Sequence, residues 1–204
     1  LASKQLDEAI ESFQKAIEIK KDWAIPYRNM ASTLIAQEKS DEAIAMMEKG
    51  IDATNGAPRL VTGLATYLER TGNLDSAATQ NRKLLVDSPN SALAVNNLAM
   101  LLIEYKDDDA SRAEARELAQ KLEGSNNAAY LDTVGWVAFK FGEHERAVEY
   151  LEKAVETAPD AAVMQFHLGM AYLAQGNEVS AKTHLERAIN SNVEFRGIED
   201  AKTA

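Results

Sequence analysis

Apolar residues recur along the chain at helical spacing, in short stripes interrupted by polar turns. Leu6, Ile10, Phe13 and Ile17 fall on one face of a first helix. Leu131, Val134 and Ala138 mark another; after a turn at Gly142, Ala147, Leu151 and Ala154 mark a third. This alternation of stripe, turn and stripe continues down the chain. It predicts eleven major helices and no strand.

The alternation keeps a beat. Ala9, Ala43 and Ala77 are 34 residues apart, as are Ala147 and Ala181, and each follows a small acidic or polar phrase such as Asp41-Glu42 or Glu145-Arg146. Ala77 and Ala147 are 70 apart, two periods plus two residues, and Pro89 and Pro159 show the same slip. Gly135 and Gly169, then Gly142 and Gly176, are again 34 apart. The intervening alanine is best placed at Ala115, with the run Asp107-Asp108-Asp109 absorbing a four-residue insertion and the next loop two residues shorter. A fixed period of this length signals a stack of repeated units.

Each recurring residue has a physical reason. Gly135 and Gly169 sit inside helices, where glycine costs about 1 kcal/mol against alanine. They are expected where a neighbouring helix needs the space of the missing side chain. Gly142 and Gly176 suit a left-handed cap after the first helix of each unit. Pro89 and Pro159 end the second helix, because proline cannot continue it. Two helices in 34 residues, carried by Leu131, Val134, Gly135, Ala138, Gly142, Ala147, Leu151, Ala154 and Pro159, and again by Gln165, Leu168, Gly169, Tyr172, Gly176, Ala181, Leu185 and Ala188, resemble the tetratricopeptide repeat. The resemblance implies an all-α, right-handed superhelical solenoid of antiparallel helix pairs. In this register 1–23 is a partial repeat. Full repeats cover 24–57, 58–91, 92–127, 128–161 and 162–195, and 196–204 begins a capping helix with Phe195, Ile198 and Ala201 at helical spacing. Glu38 and Lys106 stand where the turn glycine belongs, and Asn81 stands at a position normally large and apolar.

Composition narrows the function. Acidic residues outnumber basic ones 32 to 22, giving a net charge of −10, which argues against a general nucleic-acid binder. No cysteine is present, so thiolate chemistry and disulfides are excluded. No apolar run is long enough to cross a membrane. His144, His167 and His184 lack the spacing of paired ligands on one helix face and are expected as surface or groove side chains. The three aspartates at 107–109 lack the glycine and late glutamate of a calcium loop. Phosphate loops and nucleophile elbows are absent as well. No cofactor, metal or catalytic residue is expected, and the chain is not expected to be an enzyme.

A ligand of such a solenoid lies in the concavity lined by first helices. Their inward stripe reads Ile25, Arg28, Asn29, Ser32 and Ile35; Arg59, Thr62, Thr66, Glu69 and Arg70; Leu93, Asn96, Asn97, Met100 and Ile103; Asp132, Thr133, Trp136, Phe139 and Lys140; Val163, Phe166, His167, Met170 and Leu173. The candidate binding residues are Arg28, Asn29, Arg59, Thr62, Asn96, Asn97, Asp132, Trp136, Phe139, Phe166, His167 and Met170. Aromatic residues on a concave face are frequent binding hot spots, and Asn96 and Asn97 are placed to bracket a peptide backbone. The family's carboxylate clamp needs basic residues and asparagines where this chain has Ser32, Gly63 and Leu93. A chaperone-tail adaptor is therefore not expected.

The expected function is a non-enzymatic scaffold for a protein or peptide segment. The phrases 131–136 and 166–169 are similar to repeats of bacterial secretion and exopolysaccharide-assembly scaffolds, including those accompanying exosortase-type sorting. That resemblance implies a periplasmic or membrane-tethered setting. The alternatives are a regulatory or anchoring array attached to an upstream catalytic domain, and a self-assembling scaffold. Because the chain begins inside a helix without methionine, it is expected to be a piece of a longer array. Its N-terminal helix, whose apolar face has lost its cover, is expected to support a weak homodimer.

Overall fold

The computed structural model describes the backbone of residues 2–203 and the side chains of 4–203. Among these there are twelve helices and no strand. The chain divides into two compact units, 1–94 and 95–204.

The first unit contains α1 (Ala2–Ile19), α2 (Ala24–Ala36), α3 (Ser40–Ala53), α4 (Pro58–Arg70), α5 (Leu74–Asp87) and the first turn of α6 (Ala92–Tyr105). Helices α2 and α3 pack as one pair and α4 and α5 as another, with α1 on α2 and α3 on α4. Small residues permit the close approach: Ala31, Ala43, Ala65 and Ala77 are all buried. A Cβ placed on Gly50 would stand 2.7 Å from Cβ of Tyr27, so this glycine is held by contact between α2 and α3.

The second unit contains the rest of α6, then α7 (Asp109–Gln120), α8 (Ala128–Lys140), α9 (His144–Thr157), α10 (Ala162–Ala174), α11 (Glu178–Asn190) and the short α12 (Ile198–Thr203). Helices α8 and α9 form one pair and α10 and α11 the next, with α12 against both α10 and α11. Helix α10 runs unbroken through Gly169. The spacing argument for the internal glycines holds here: a Cβ on Gly135 would lie 2.6 Å from Leu151 Cγ, and one on Gly169 would lie 2.7 Å from Leu185 Cγ.

The turn between paired helices is one motif used four times. The amides of Lys39, Asn73, Glu143 and Asn177 reach back to the carbonyls of Leu34, Leu68, Ala138 and Tyr172 at 2.8–3.0 Å. The preceding residue is left-handed in each case: Glu38 (φ 62), Gly72 (φ 81), Gly142 (φ 76) and Gly176 (φ 77). Glu38 thus adopts a glycine's conformation without being one. Lys106 does not, because the extra residues after α6 run on to Asp108, whose carboxylate caps α7 by accepting from the Ser111 amide at 2.8 Å. The aspartate run is a helix start, not only a solvated insertion. Asn81 is buried and bonds the Ala77 carbonyl through its amide nitrogen at 3.2 Å, while its Oδ1 has no partner. One boundary differs from the sequence pattern. The capping helix begins at Ile198, so Phe195 lies outside it, in a non-helical stretch that follows α11.

Candidate functional site

In the first unit the stripe residues of α2 and α4 face solvent. Arg28, Arg59, Thr66 and Arg70 are exposed, and Asn29, Thr62 and Glu69 are half-buried. Among the described residues none of the three arginines forms an ion pair; Arg70 rests over the Tyr67 ring at 5.5 Å. Desolvation pushes the Glu69 carboxyl above its ordinary value. Ile25 and Leu93 are also exposed apolar members of the stripe.

The second unit uses the same stripe differently. Trp136, which the sequence places on the first-helix stripe, is 3% exposed. Its indole is stacked between Phe139 (centroids 4.7 Å apart, planes at 8°) and His167 (3.9 Å, 15°), with Phe166 tilted against it at 5.9 Å. Helical geometry builds this pile: Phe139 is one turn beyond Trp136 on α8, and His167 comes from the neighbouring α10. The indole N–H donates to the Glu104 carboxylate from α6. Lys140 Nζ stands 3.6 Å from that carboxylate and 4.8 Å from the indole centroid.

His167 is buried too, which corrects its reading as a surface or groove histidine. Its Nδ1 lies 2.9 Å from Asp132 Oδ1, and Asp132 is itself buried. A carboxylate accepts, so Nδ1 carries the proton and donates. Asn96 is equally committed inside the chain. Its Oδ1 accepts from Thr133 Oγ1 at 2.7 Å and its amide donates to Asn97 at 3.3 Å. Met170 and Asn97 are half-buried, and Phe166 is buried.

What closes this face is the stretch between α11 and α12. Phe195 packs on Phe166 at 5.4 Å between centroids. Gly197 (φ 93) passes so close that a Cβ there would stand 2.5 Å from the Phe166 ring. Arg196 reaches α6, its Nε 3.0 Å from the Glu104 carboxylate, a terminal nitrogen 3.1 Å from the Glu104 carbonyl, and its guanidinium over the Tyr105 ring at 4.2 Å. Glu104 therefore gathers Trp136, Lys140 and Arg196. Sequence reasoning passed it over although the signal was present. Glu104 holds the same repeat position as Arg70 and Lys140, both of which were read as inward-facing. Ile103, chosen in its place, is buried.

On the far side of α10 a second polar group ties that helix to α11. Gln165 donates to the Pro159 carbonyl at 2.6 Å, and its Oε1 accepts from His184 Nδ1 at 2.6 Å. His184 stacks on Tyr172, whose hydroxyl donates to Glu152. Burial, then the bond to Glu152, pushes the Tyr172 phenol up to about 12, and desolvation pulls His184 below its ordinary value. Among the described residues no cluster of three or more potential metal ligands occurs, and no helix is long and apolar enough to cross a membrane.

Paired helices repeating with a left-handed turn, and first helices supplying the side chains of one face, define a helical-repeat scaffold. Tetratricopeptide-repeat family profiles match residues 1–22, 28–92 and 138–197. The chain belongs to that family. A TPR repeat-containing protein of Pseudomonas aeruginosa is 28% identical over 172 residues, covering 83% of this chain. The STIP1 homolog of Dictyostelium discoideum is 24% identical over 166 residues, covering 78% of it. The chain spans 28% of the length of each of these curated relatives. Among solved structures, YrrB, described as a TPR protein with an unusual peptide-binding site, has a TM-score of 0.64 at 22% identity, with 96% of this chain and all of that one covered. A MamA fragment from Desulfovibrio magneticus has a TM-score of 0.65 at 19% identity, covering 82% and 94%. The fold class is that of the tetratricopeptide solenoid.

Proposed function

We propose that this chain is a non-enzymatic scaffold that binds a protein segment along its first helices, and that the first unit holds an acidic stretch of that segment. The observation that carries the reading is the state of the arginines. In a chain of net charge −10, Arg28, Arg59 and Arg70 stand exposed on the first-helix stripe without ion pairs, whereas Arg116, Arg146 and Arg196 of the second unit are each paired to a glutamate. Exposed guanidiniums with no ion pair among the described residues offer a carboxylate-rich ligand both charge steering and bidentate hydrogen bonds. The peptide-binding site described for YrrB supports the same class of function by analogy of fold.

The test is anisotropy with a labelled peptide of about ten residues alternating serine and glutamate, against the whole chain. Binding that weakens steeply with salt, and that reversing Arg28, Arg59 and Arg70 to glutamate removes, supports the proposal. Binding that survives the triple reversal, or no binding at low salt, defeats it. The narrower envelope or exopolysaccharide role has less behind it. Leu131, Val134, Gly135, Trp136, Phe166, His167, Leu168 and Gly169, which carry that resemblance, are buried and encode packing more than partner choice.

A further inference from the structure

We propose that the first-helix face of the second unit receives a partner peptide in which an aromatic residue is followed by arginine, and that Phe195-Arg196-Gly197 sits there as an internal competitor. This rests on the reading that the fold receives a protein segment, but it concerns different residues and the opposite ligand charge.

Trp136 is stacked on two rings and bonded to Glu104, so residues of α6, α8 and α10 supply the aromatic floor and the carboxylate beside it. The covering stretch is held far less firmly. It is non-helical from Asn192 to Gly197 and enters through a left-handed Asn192 (φ 56). Phe195 is half-buried, and the Arg196 side chain is 57% exposed while the Glu104 side chain it meets is 14% exposed. Its main side-chain anchors are two neighbouring residues: Phe195 on the Phe166 ring, and Arg196 on Glu104 and the Tyr105 ring. That pairing is the ligand chemistry this face selects. Arginine and large aromatics are also the residues that dominate binding energy at protein interfaces. The acidic Glu104 gives the charge complementarity that a basic ligand needs, and Gly197 shows that the chain must pass Phe166 without a side chain.

A tethered segment acts at an effective concentration on the order of millimolar, so a free peptide at micromolar levels competes poorly with it. Releasing the tethered anchors is the way to expose the site. The probe is a fluorescein-labelled Val-Glu-Phe-Arg-Gly-Ile peptide, the sequence of residues 193–198, added to the whole chain. Arg196→Ala is expected to bind it at least about tenfold more tightly than the unaltered chain, the gain from removing an intramolecular competitor. Phe195→Ala, which leaves the ion pair alone, is expected to act in the same direction. Adding Glu104→Gln to Arg196→Ala should abolish the gain, and a peptide with both anchors changed to alanine should bind none of the chains.

The proposal is overturned if neither variant gains affinity, or if the alanine peptide binds equally well. It is also overturned if the unaltered chain sediments as a dimer that Arg196→Ala dissolves, because the occupant is then a second copy. The Arg28, Arg59 and Arg70 reversal leaves this binding unchanged, so failure of the acidic probe and failure of the Phe-Arg probe are read separately.

Discussion

Residues 1–94 and 95–204 build their first helices on one repeat yet use them in opposite ways. In the former, Arg28, Arg59 and Arg70 stand in solvent with no carboxylate partner among the described residues. In the latter, Trp136, Phe166, His167 and Asp132 are buried, and Glu104 gathers an indole, a lysine and an arginine. The repeat constrains the turns and the positions where paired helices touch. The latter are small residues at Ala43, Ala77, Ala147 and Ala181, all nearly or fully buried. The stripe positions are free to be a polar surface or an aromatic floor, and the same register serves both.

The largest expected difference between the units comes from removing a stripe side chain. Trp136→Ala deletes a ring that is stacked on both faces and is expected to cost about 3–5 kcal/mol, the range for a large aromatic in a packed core. Arg28→Ala is expected to change stability by less than about 0.5 kcal/mol, as for other surface substitutions. Denaturant unfolding measures both. If Trp136→Ala proves as mild as Arg28→Ala, the aromatic floor is not part of the core and the contrast fails.

Glycine gives a difference of sign. Alanine at Gly135 or Gly169 meets Leu151 or Leu185 and is expected to destabilise by about 1–3 kcal/mol, the usual effect of overpacking. At Gly63, inside α4, an added Cβ meets nothing within 4 Å, so Gly63→Ala is expected to stabilise by about 0.5–1 kcal/mol through helix propensity. Thermal melting of the three variants decides it. A loss at Gly63 equal to that at Gly135 would mean that α4 is as tightly opposed as α8.

The turns give a smaller, reciprocal pair. Glu38 holds a left-handed conformation that disfavours a side chain by about 1–2 kcal/mol. Glu38→Gly is therefore expected to gain up to about 1 kcal/mol after the entropy of the unfolded glycine is counted. Gly142→Glu, in the matching turn of the second unit, should lose a similar amount. Equal and opposite shifts in the denaturation midpoint would support a shared turn. A loss at Glu38→Gly would show that its side chain supplies something the turn motif does not.

The parts of the fold that were legible in the sequence are those set by short-range packing. Gly135, Gly169, Gly142, Gly176, Pro89 and Pro159 each have one local reason, and the structure shows that reason at each. Ala115 is fully buried, as the four-residue insertion at Asp107–Asp109 requires. The candidate site was read less well because exposure depends on what comes to lie over a helix. Helical register put Trp136 and Phe166 on the stripe, but nothing local to either shows that Phe195 and Gly197, about thirty to sixty residues later, pack over that face. His167 was misjudged for a related reason. Its partner Asp132 is 35 residues away, one repeat plus one, so the pair is visible only when neighbouring first helices are laid side by side.

The smallest effect separates the units by pH. All three histidines lie in 95–204, and desolvation, helped by Arg187, lowers the His184 pKa from 6.5 while Glu152 opposes. The unfolded chain then takes up this proton near 6.5 and the folded chain only at lower pH. Stability from this group is present above about 6.5 and is lost as pH falls through the folded value. Glu69 in 1–94 has the opposite sign. Desolvation raises its pKa above 4.5, so the folded chain holds the proton longer. Its contribution is fully present below about 4.5 and is lost as pH rises through the folded value. Glutamine mimics the neutral form of either side chain. His184→Gln is thus expected to help most near pH 5 and Glu69→Gln most near pH 7, with melting temperatures compared against the unaltered chain at both. Both groups are half-buried, so solvent screening keeps the shifts small. Parallel pH profiles for the two variants would show that neither burial acts on protonation, and would leave the contrast between the units resting on packing and ion pairs alone.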